Sequence, residues 1–355
     1  MTRKLDYIIV GQGLAGSAVA LQLLKSNKKV LVIDRPLANS SSRIAVGLFN
    51  PITGRHMVKT WMADKIFPYL HTFYQRAEAL TKQNFFYSLP LYRPFLSIEE
   101  QNEWMAKSAD PIYEDYIEKI ATQPAFPYIN DTYGGLTLMQ CGYLDTIQYI
   151  QAVRMLIQQQ GIFLEEVFEE NKLSIGSKNV GYKEYEAVHI IFCQGIETNK
   201  WFSWVPILPL KGETLRIQCN YEEKIILNRG VYAVPANQKG EWRVGATYTF
   251  TDLSPDTTDK AREELTQKMK ELVSFPFTII DQQWGLRPST HDRRPILGRH
   301  PEYENLYILN GMGPKGVSLA PYFSGILIDM IENHQTLNKD VDLKRYKLLY
   351  WSPST

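Results

Sequence analysis

Three groups of residues in this chain combine reactive types with telling spacings. Gly11, Gly13 and Gly16 stand in G-x-G-x-x-G order, and Asp34 follows 18 residues after the last of them. Gly311, Gly313 and Gly316 repeat that spacing near the other end, with Pro314 and Lys315 inside the turn. Between the two, residues 285–298 hold Arg287 in the run Gly285-Leu286-Arg287-Pro288-Ser289-Thr290-His291-Asp292-Arg293-Arg294. In such a glycine motif the first glycine permits a tight turn, the second lets backbone approach a pyrophosphate, and the third lets a helix pack closely on a strand. Unpaired N–H groups at the helix start then face the phosphates. A carboxylate placed as Asp34 is reaches ribose hydroxyls and repels a 2′-phosphate. The first group therefore predicts a bound dinucleotide.

The motif has this meaning only between a strand and a helix. Residues 7–10 (YIIV) are apolar and β-prone, residues 15–24 continue as an Ala/Leu-rich helix with Leu14 and Ala15 at its start, and residues 30–33 form a second strand ending at Asp34-Arg35. A secretory signal needs an unbroken apolar core. Asp6, Gln12 and three glycines interrupt this one. The second motif follows a strand at 305–310 and precedes an apolar helix at 317–331, yet only 24 residues remain after Ile331 and no strand ending in an acid appears. It cannot complete its own nucleotide unit, so it reads as a second helix N-terminus, beginning at Gly316-Val317, aimed at the same cofactor. Such a terminus carries roughly half a positive charge. That charge stabilises the anionic edge of a reduced flavin, a need nicotinamide does not share.

Between the motifs the chain alternates in character. Ser41-Ser42-Arg43 forms a hydroxyl-rich turn, and residues 61–80 show helical spacing despite Pro68. Residues 85–138 carry short aromatic runs with prolines and a polar helix at 99–107, the pattern of an antiparallel sheet. Residues 144–160 return to an amphipathic helix, and residues 161–167, ending at Val167, supply a strand that rejoins the first sheet. Residues 186–192 (EAVHIIF) form a buried parallel strand whose end carries Cys193-Gln194-Gly195 beside a ligand. Short strands at 209–217, 231–235 and 243–248 and a charged helix at 260–272 belong again to the second domain. The expected domains are 1–80, 139–205 and 285–355 for the cofactor, and 81–138 and 206–284 for the substrate.

Composition narrows the function. At 355 residues the chain exceeds the usual single-core size, so two domains are expected. With 39 basic and 38 acidic residues and no dense basic run, a nucleic-acid partner is disfavoured. Cys141, Cys193 and Cys219 are odd in number and far apart, which indicates neither a disulfide framework nor a metal site and fits a reducing cytoplasm. No apolar run reaches the about 18 residues of a transmembrane helix.

Taken together, these features resemble the D-amino-acid oxidase superfamily of flavoproteins, most of all its glycine oxidase and sarcosine oxidase branch. The resemblance rests on the first glycine motif with Asp34-Arg35, the Ser41-Ser42-Arg43 turn, Cys193-Gln194-Gly195, Pro209-Leu210-Lys211-Gly212, residues 232–248, and the block at 285–298 followed by 311–320. It implies an α/β chain: a Rossmann-like FAD/NAD(P)-binding domain with a parallel sheet, and an α+β substrate domain with a mixed, largely antiparallel sheet. It also implies FAD held non-covalently, since no cysteine lies near the second glycine turn. Gly11, Gly13, Leu14, Ala15, Gly16, Asp34, Arg35, Ser41, Ser42, Arg43, Val167, Cys193, Gln194, Gly195, Gly285, Gly311, Gly313, Pro314, Lys315, Gly316 and Val317 are its expected contacts.

Three residues then form the expected catalytic set. By resemblance, Arg287 binds the substrate carboxylate as a bidentate pair, a task suited to its planar, always charged fork. Tyr232 and Tyr248 match positions lining the cavity, one hydrogen-bonding the carboxylate and the other covering it. Relatives commonly place a basic side chain near flavin N5; here the local match is Gly230, beside Arg229, which leaves oxygen or another acceptor open. His56 and His291 are proton carriers by type, and a lone histidine is more often structural. The implied activity is FAD-dependent oxidation of the C–N bond of a small amine or amino acid of the glycine, sarcosine or D-amino-acid type. Competing readings are an oxidoreductase acting on a tRNA wobble-uridine side chain, a dehydrogenase feeding a quinone or protein, and a non-catalytic FAD sensor.

Overall fold

Strand Arg3–Val10 is fully buried along its last four residues and is the centre of a parallel arrangement. It pairs with Val30–Asp34 on one side and Tyr185–Phe192 on the other, in register Tyr7↔Val30 and Tyr7↔His189. Ile162–Glu165 extends the sheet beyond Val30–Asp34, and Leu306–Asn310 lies beyond the second half of Tyr185–Phe192. Period-2 alternation divides these strands between two cores. Ile9 and Val32 face the helices Leu14–Lys25, Thr146–Gln160 and Gly316–Asn333, whereas Ile8, Leu31, Ile190 and Phe192 pack against Trp201, Phe202 and Val205. Cover on both faces explains why the strands read as unbroken apolar runs. The computed structural model describes residues 2–37, 39–54, 57–197 and 199–351.

The second sheet has eight strands in the order Phe277–Ser289, Leu208–Cys219, Glu241–Gly245, Tyr232–Pro235, Ile226–Asn228, Leu91–Pro94, Gly135–Leu138 and Ile117–Ala121. Every neighbour is antiparallel except Ile226–Asn228 beside Leu91–Pro94, so the sheet is mixed and largely antiparallel. One face is sealed by helix Asp259–Leu272, whose Leu265, Met269 and Leu272 pack with Leu215, Ile217 and Val244. The other face looks toward the glycine motifs. A small sheet of Leu48–Phe49, Gly142–Leu144 and Phe86–Ser88 closes the flank.

Three local expectations shift. The Ser41-Ser42-Arg43 turn is one turn of helix, Ser41–Ile44. The strand expected over 243–248 ends at Gly245, so Tyr248 stands on the loop that follows. Strand Phe277–Ser289 pairs with Leu208–Cys219, with one register shift between Arg216 and Ile217, down to Ser289↔Leu208, so it runs through position 285 and carries Gly285 and Arg287 on the edge of the second sheet.

Candidate active site

The first glycine motif is built by backbone packing. Gly11 has φ +94°, and a Cβ there would lie 2.6 Å from the Cys193 carbonyl oxygen; one at Gly16 would lie 1.8 Å from the Gly11 carbonyl oxygen. These two glycines let strand, turn and helix touch. Gly13 instead faces open space on one side and Ser42 on the other, whose Oγ accepts the Leu14 N–H at 3.1 Å. Gly13 itself has no side chain to cap the helix, so apart from the Leu14 N–H taken by Ser42 the helix start is available to an anion. Asp34 Oδ1 accepts the Gln12 N–H at 2.9 Å, and burial pushes its carboxyl above the ordinary value, opposed by Gln12 and Arg154.

Arg154 is a residue the sequence reading missed. From helix Thr146–Gln160 its Nε donates to Gln12 Oε1 at 2.9 Å, and its Nη2 stands 3.5 Å from Asp34 Oδ2. Its guanidinium also lies 4.6 Å from the Phe163 ring centroid. Being the one charged residue in TIQYIQAVRMLIQQQ, it was the available signal.

A cavity of 1520 Å³ runs from the first helix start to the second sheet. Single-ligand pockets are about 300–1,000 Å³, so this one has room for a dinucleotide and a small substrate together. Of the expected contacts, Gly13, Leu14, Ala15, Ser41, Ser42, Cys193, Gly195, Gly285, Gly311, Gly313, Pro314, Lys315, Gly316 and Val317 line it, together with Arg287, Tyr232 and Tyr248. Gly11, Gly16, Asp34, Arg35, Arg43, Val167 and Gln194 do not. Gly11 and Gly16 shape the turn behind the wall. Gln194 Oε1 accepts from Asn199 Nδ2 at 2.8 Å, and Val167 is 48% exposed beyond the end of its strand.

The two helix starts converge on that cavity. Gly311 and Gly313 adopt φ +72° and +52°, and Asn310 Nδ2 ties the preceding strand to the Gly195 carbonyl at 2.7 Å. A Cβ at Gly316 would stand 3.0 Å from Leu14 Cδ1, so the second helix begins against the first residue of the first. Lys315 Nζ donates to Thr53 Oγ1 at 3.3 Å and Thr60 Oγ1 at 3.4 Å. Burial, reinforced by Arg294 and Arg293, holds its ammonium below the ordinary range.

At the opposite wall stands Arg287. On the adjacent strand, two residues beyond its partner Leu210, a Cβ at Gly212 would lie 2.1–2.4 Å from the guanidinium atoms, so the missing side chain at 212 is the slot that holds them. Arg287 Nη1 donates to the Thr247 carbonyl at 3.3 Å, and its Cζ lies 4.8 Å from the Tyr248 ring centroid. No described carboxylate comes within ion-pairing distance of it. Burial lowers its pKa, opposed by Tyr248. An unpaired buried guanidinium strongly favours an anion from outside the chain. Burial pushes the Tyr232 phenol up to about 12, so it remains a hydrogen-bond donor at neutral pH. Tyr248 is 60% exposed and roofs Arg287.

Of the remaining candidates, His291 is exposed on the cavity rim, and His56 lies outside the described residues. Gly230, with φ +68°, and Arg229 both line the cavity, but Arg229 Nη1 is paired with Glu100 at 2.8 Å. Among the described residues, no helix is long and apolar enough to cross a membrane, and no cluster of His, Cys, Asp and Glu could hold a metal ion.

A family model described as FAD dependent oxidoreductase (DAO) matches residues 6–330. The chain is 25% identical over 361 residues to the bifunctional protein ThiO/ThiG of Trichormus variabilis, covering 93% of this chain and 53% of that protein. It thus spans about half the length of that curated relative. It is also 23% identical over 366 residues to the glycine oxidase of Bacillus subtilis, covering 96% of each. In fold it resembles the crystal structure of glycine oxidase from Geobacillus kaustophilus, with a TM-score of 0.78, 18% identity, and coverage of 97% of this chain and 98% of that one.

Proposed function

The chain belongs to the DAO family of FAD-dependent oxidoreductases, and on that premise we propose that it oxidises the C–N bond of a small amine or amino acid of the glycine, sarcosine or D-amino-acid type. The observation that carries this reading is Arg287, a buried guanidinium without a carboxylate partner, seated in the slot left by Gly212. A substrate carboxylate is the group it lacks.

The residues present suit FAD. Two helix starts, each entered through glycines, line one cavity, and the Gly13 position admits a phosphate where a larger residue would meet Ser42. The N–H groups at Gly316 would face the ring edge, and Asp34, behind the cavity wall, holds the Gln12 N–H of the first turn in place. The three cysteines are free and buried, and none lies near the second glycine turn, which supports non-covalent attachment and a cytoplasmic setting. Bound FAD supplies a two-electron acceptor for the hydride α to nitrogen, and the imine product hydrolyses in water.

The protein's part is chiefly positioning. Arg287 takes the carboxylate in a bidentate grip and fixes the orientation of the substrate's α carbon. Tyr232, protonated at neutral pH, offers its phenol O–H as a donor on the cavity wall. Tyr248 covers the grip and keeps water out, which strengthens the charge pair. Glu264 and His291 are the acid and the imidazole among the cavity-lining residues. The reacting amine is the neutral form, and no side chain is assigned to take its proton.

The test is anaerobic mixing with glycine, sarcosine, D-amino acids and small cyclic imino acids, read as bleaching of the flavin band at about 450 nm. Bleaching by at least one amino acid is expected. No bleaching with any of them leaves only a non-catalytic FAD-binding protein. Reoxidation in air against reoxidation by a dye then distinguishes oxygen from a quinone or protein acceptor.

A further inference from the structure

The cavity is far more cationic than a one-carboxylate substrate needs. Among the described residues, Arg93, Arg229, Lys268, Arg287, Arg293 and Lys315 line it, against one carboxylate, that of Glu264. At the wall formed by strand Leu91–Pro94 the imbalance is local. Glu100 is shared between Arg229, at 2.8 Å, and Arg93, at 3.8 Å, so one carboxylate offsets two guanidiniums. Arg93 Nε is buried with no hydrogen-bond partner among the described residues. Nearby Asn50 is 6% exposed, its Oδ1 accepts the Ile52 N–H at 3.0 Å, and its buried Nδ2 faces the Tyr232 phenol without a close hydrogen bond among the described residues. Arg93 and Asn50 both act on the phenol of Tyr232, so the three face one another. Buried donors in folded proteins almost always have partners. Two orphans beside an uncompensated cation, on the wall of a ligand cavity, define a place for an anionic acceptor.

Register separates this place from Arg287. Leu227↔Tyr92 sets Arg93 beside Asn228, and Asn228↔Tyr232, Tyr232↔Gly245 and Gly245↔Thr214 continue the row toward the edge strand that carries Arg287. The row meets the edge strand at Gln283, four residues from Arg287, so five interstrand steps of about 4.8 Å and that offset put the two backbones roughly 25 Å apart, with both arginines lining the cavity between. We infer that Arg93, Asn50 and Tyr232 form a second anion subsite, and that the substrate is an amino acid whose nitrogen or side chain carries a distal carboxylate held there while Arg287 holds the carboxylate next to the oxidised carbon. This inference rests on the amino-acid reading of the site.

A substrate series tests it: glycine bearing N-(ω-carboxyalkyl) chains of one to five methylenes, against N-alkylglycines of matched length. Expected is a preference in kcat/KM of about 10- to 100-fold for the diacid at an optimal length, the range for a charge-assisted contact. Arg93→Met should collapse that ratio toward one, and Asn50→Ala should lower it in part, with flavin content and melting temperature checking that each variant folds. Equal turnover of diacid and alkyl series in the parent, or an unchanged ratio in Arg93→Met, overturns the subsite while leaving the amino-acid reading intact. Absent bleaching by every compound would instead remove that reading. The subsite then stands on a second measurement, the perturbation of the holoenzyme flavin spectrum by glutarate, adipate and pimelate against hexanoate. Tighter binding of a diacid, lost in Arg93→Met, supports it, and equal binding of hexanoate overturns it.

Discussion

The turns at Gly11–Gly16 and Gly311–Gly316 share a spacing and differ in almost everything else. The first is a joint: its outer glycines are pressed against the Cys193 and Gly11 carbonyls, and Asp34 completes a nucleotide unit beyond it. The second is an opening: Gly311 and Gly313 turn with positive φ, Lys315 reaches Thr53 and Thr60, and the helix starts against Leu14 with no strand to follow. One spacing therefore serves two physical ends. Where backbone meets backbone, glycine is required by contact; where backbone faces a ligand, it is required by φ and by access.

Substitutions can break this contrast, and the largest effect is expected at Gly16. In Gly16→Ala the new methyl meets the Gly11 carbonyl at 1.8 Å, an overlap no side chain can relieve, and the cost should exceed about 3 kcal/mol. The outcome is colourless or insoluble protein, scored by flavin content after purification. A stable yellow variant would show that the joint can open. Arg287→Ala comes next. Its flavin should be retained while kcat/KM for amino acids falls roughly 10²- to 10³-fold, the loss for one partner of a buried charge pair; unchanged kinetics would remove Arg287 from the site.

Gly212→Ala probes the slot rather than the charge. The methyl displaces a guanidinium at the tip of a flexible side chain, so the protein should fold and melt normally while kcat/KM drops about 10- to 100-fold, as for a misplaced binding group. A normal kcat/KM would mean that the slot is not needed. Tyr232→Phe should raise KM about tenfold for the loss of one hydrogen bond to a charged group. Burial first, then the nearby Tyr248, raises this phenol from 10.0 to about 12. The unfolded chain therefore loses its proton first, so Tyr232 stabilises the fold below about pH 10 and that contribution declines as pH rises toward 12. Alkaline melting curves of the parent should fall more steeply in that window than those of Tyr232→Phe. The smallest effect is expected for Gly316→Ala, which meets only the tip of Leu14 at 3.0 Å and should cost less than about 1 kcal/mol. If it matches Gly16→Ala in a melting assay, the contrast between the turns fails.

Much of the fold was legible because its central strands are buried on both faces. Residues 7–10, 30–33, 186–192 and 305–310 read as continuous apolar runs, and each is a strand of the parallel sheet. The lining of the cavity was legible where it lies on the glycine turns themselves. Asp34 was named correctly as the end of the second strand, yet it and Arg35 stand outside the cavity wall, as does Val167. Arg154, Arg93 and Asn50 were not singled out. Arg154 meets Gln12 across 142 positions, and Asn50 meets Cys141 across 91. Local periodicity carries no information over such separations. Tyr248 was placed on a strand because its neighbours alternate, and the strand ends three residues earlier.

By itself the sequence determined that a dinucleotide is held at a glycine turn, that a second turn accompanies it, and that Arg287 belongs to a dense polar block. These are properties of neighbours along the chain, where backbone sterics and spacing act directly. Only the tertiary structure decided that both helix starts open on one cavity, that Gly212 makes room for Arg287, and that Arg93 Nε and Asn50 Nδ2 lie buried without hydrogen-bond partners among the described residues. Cross-strand register and burial set those relations, because they depend on which distant residues are brought together and on which of their polar atoms are left without a partner.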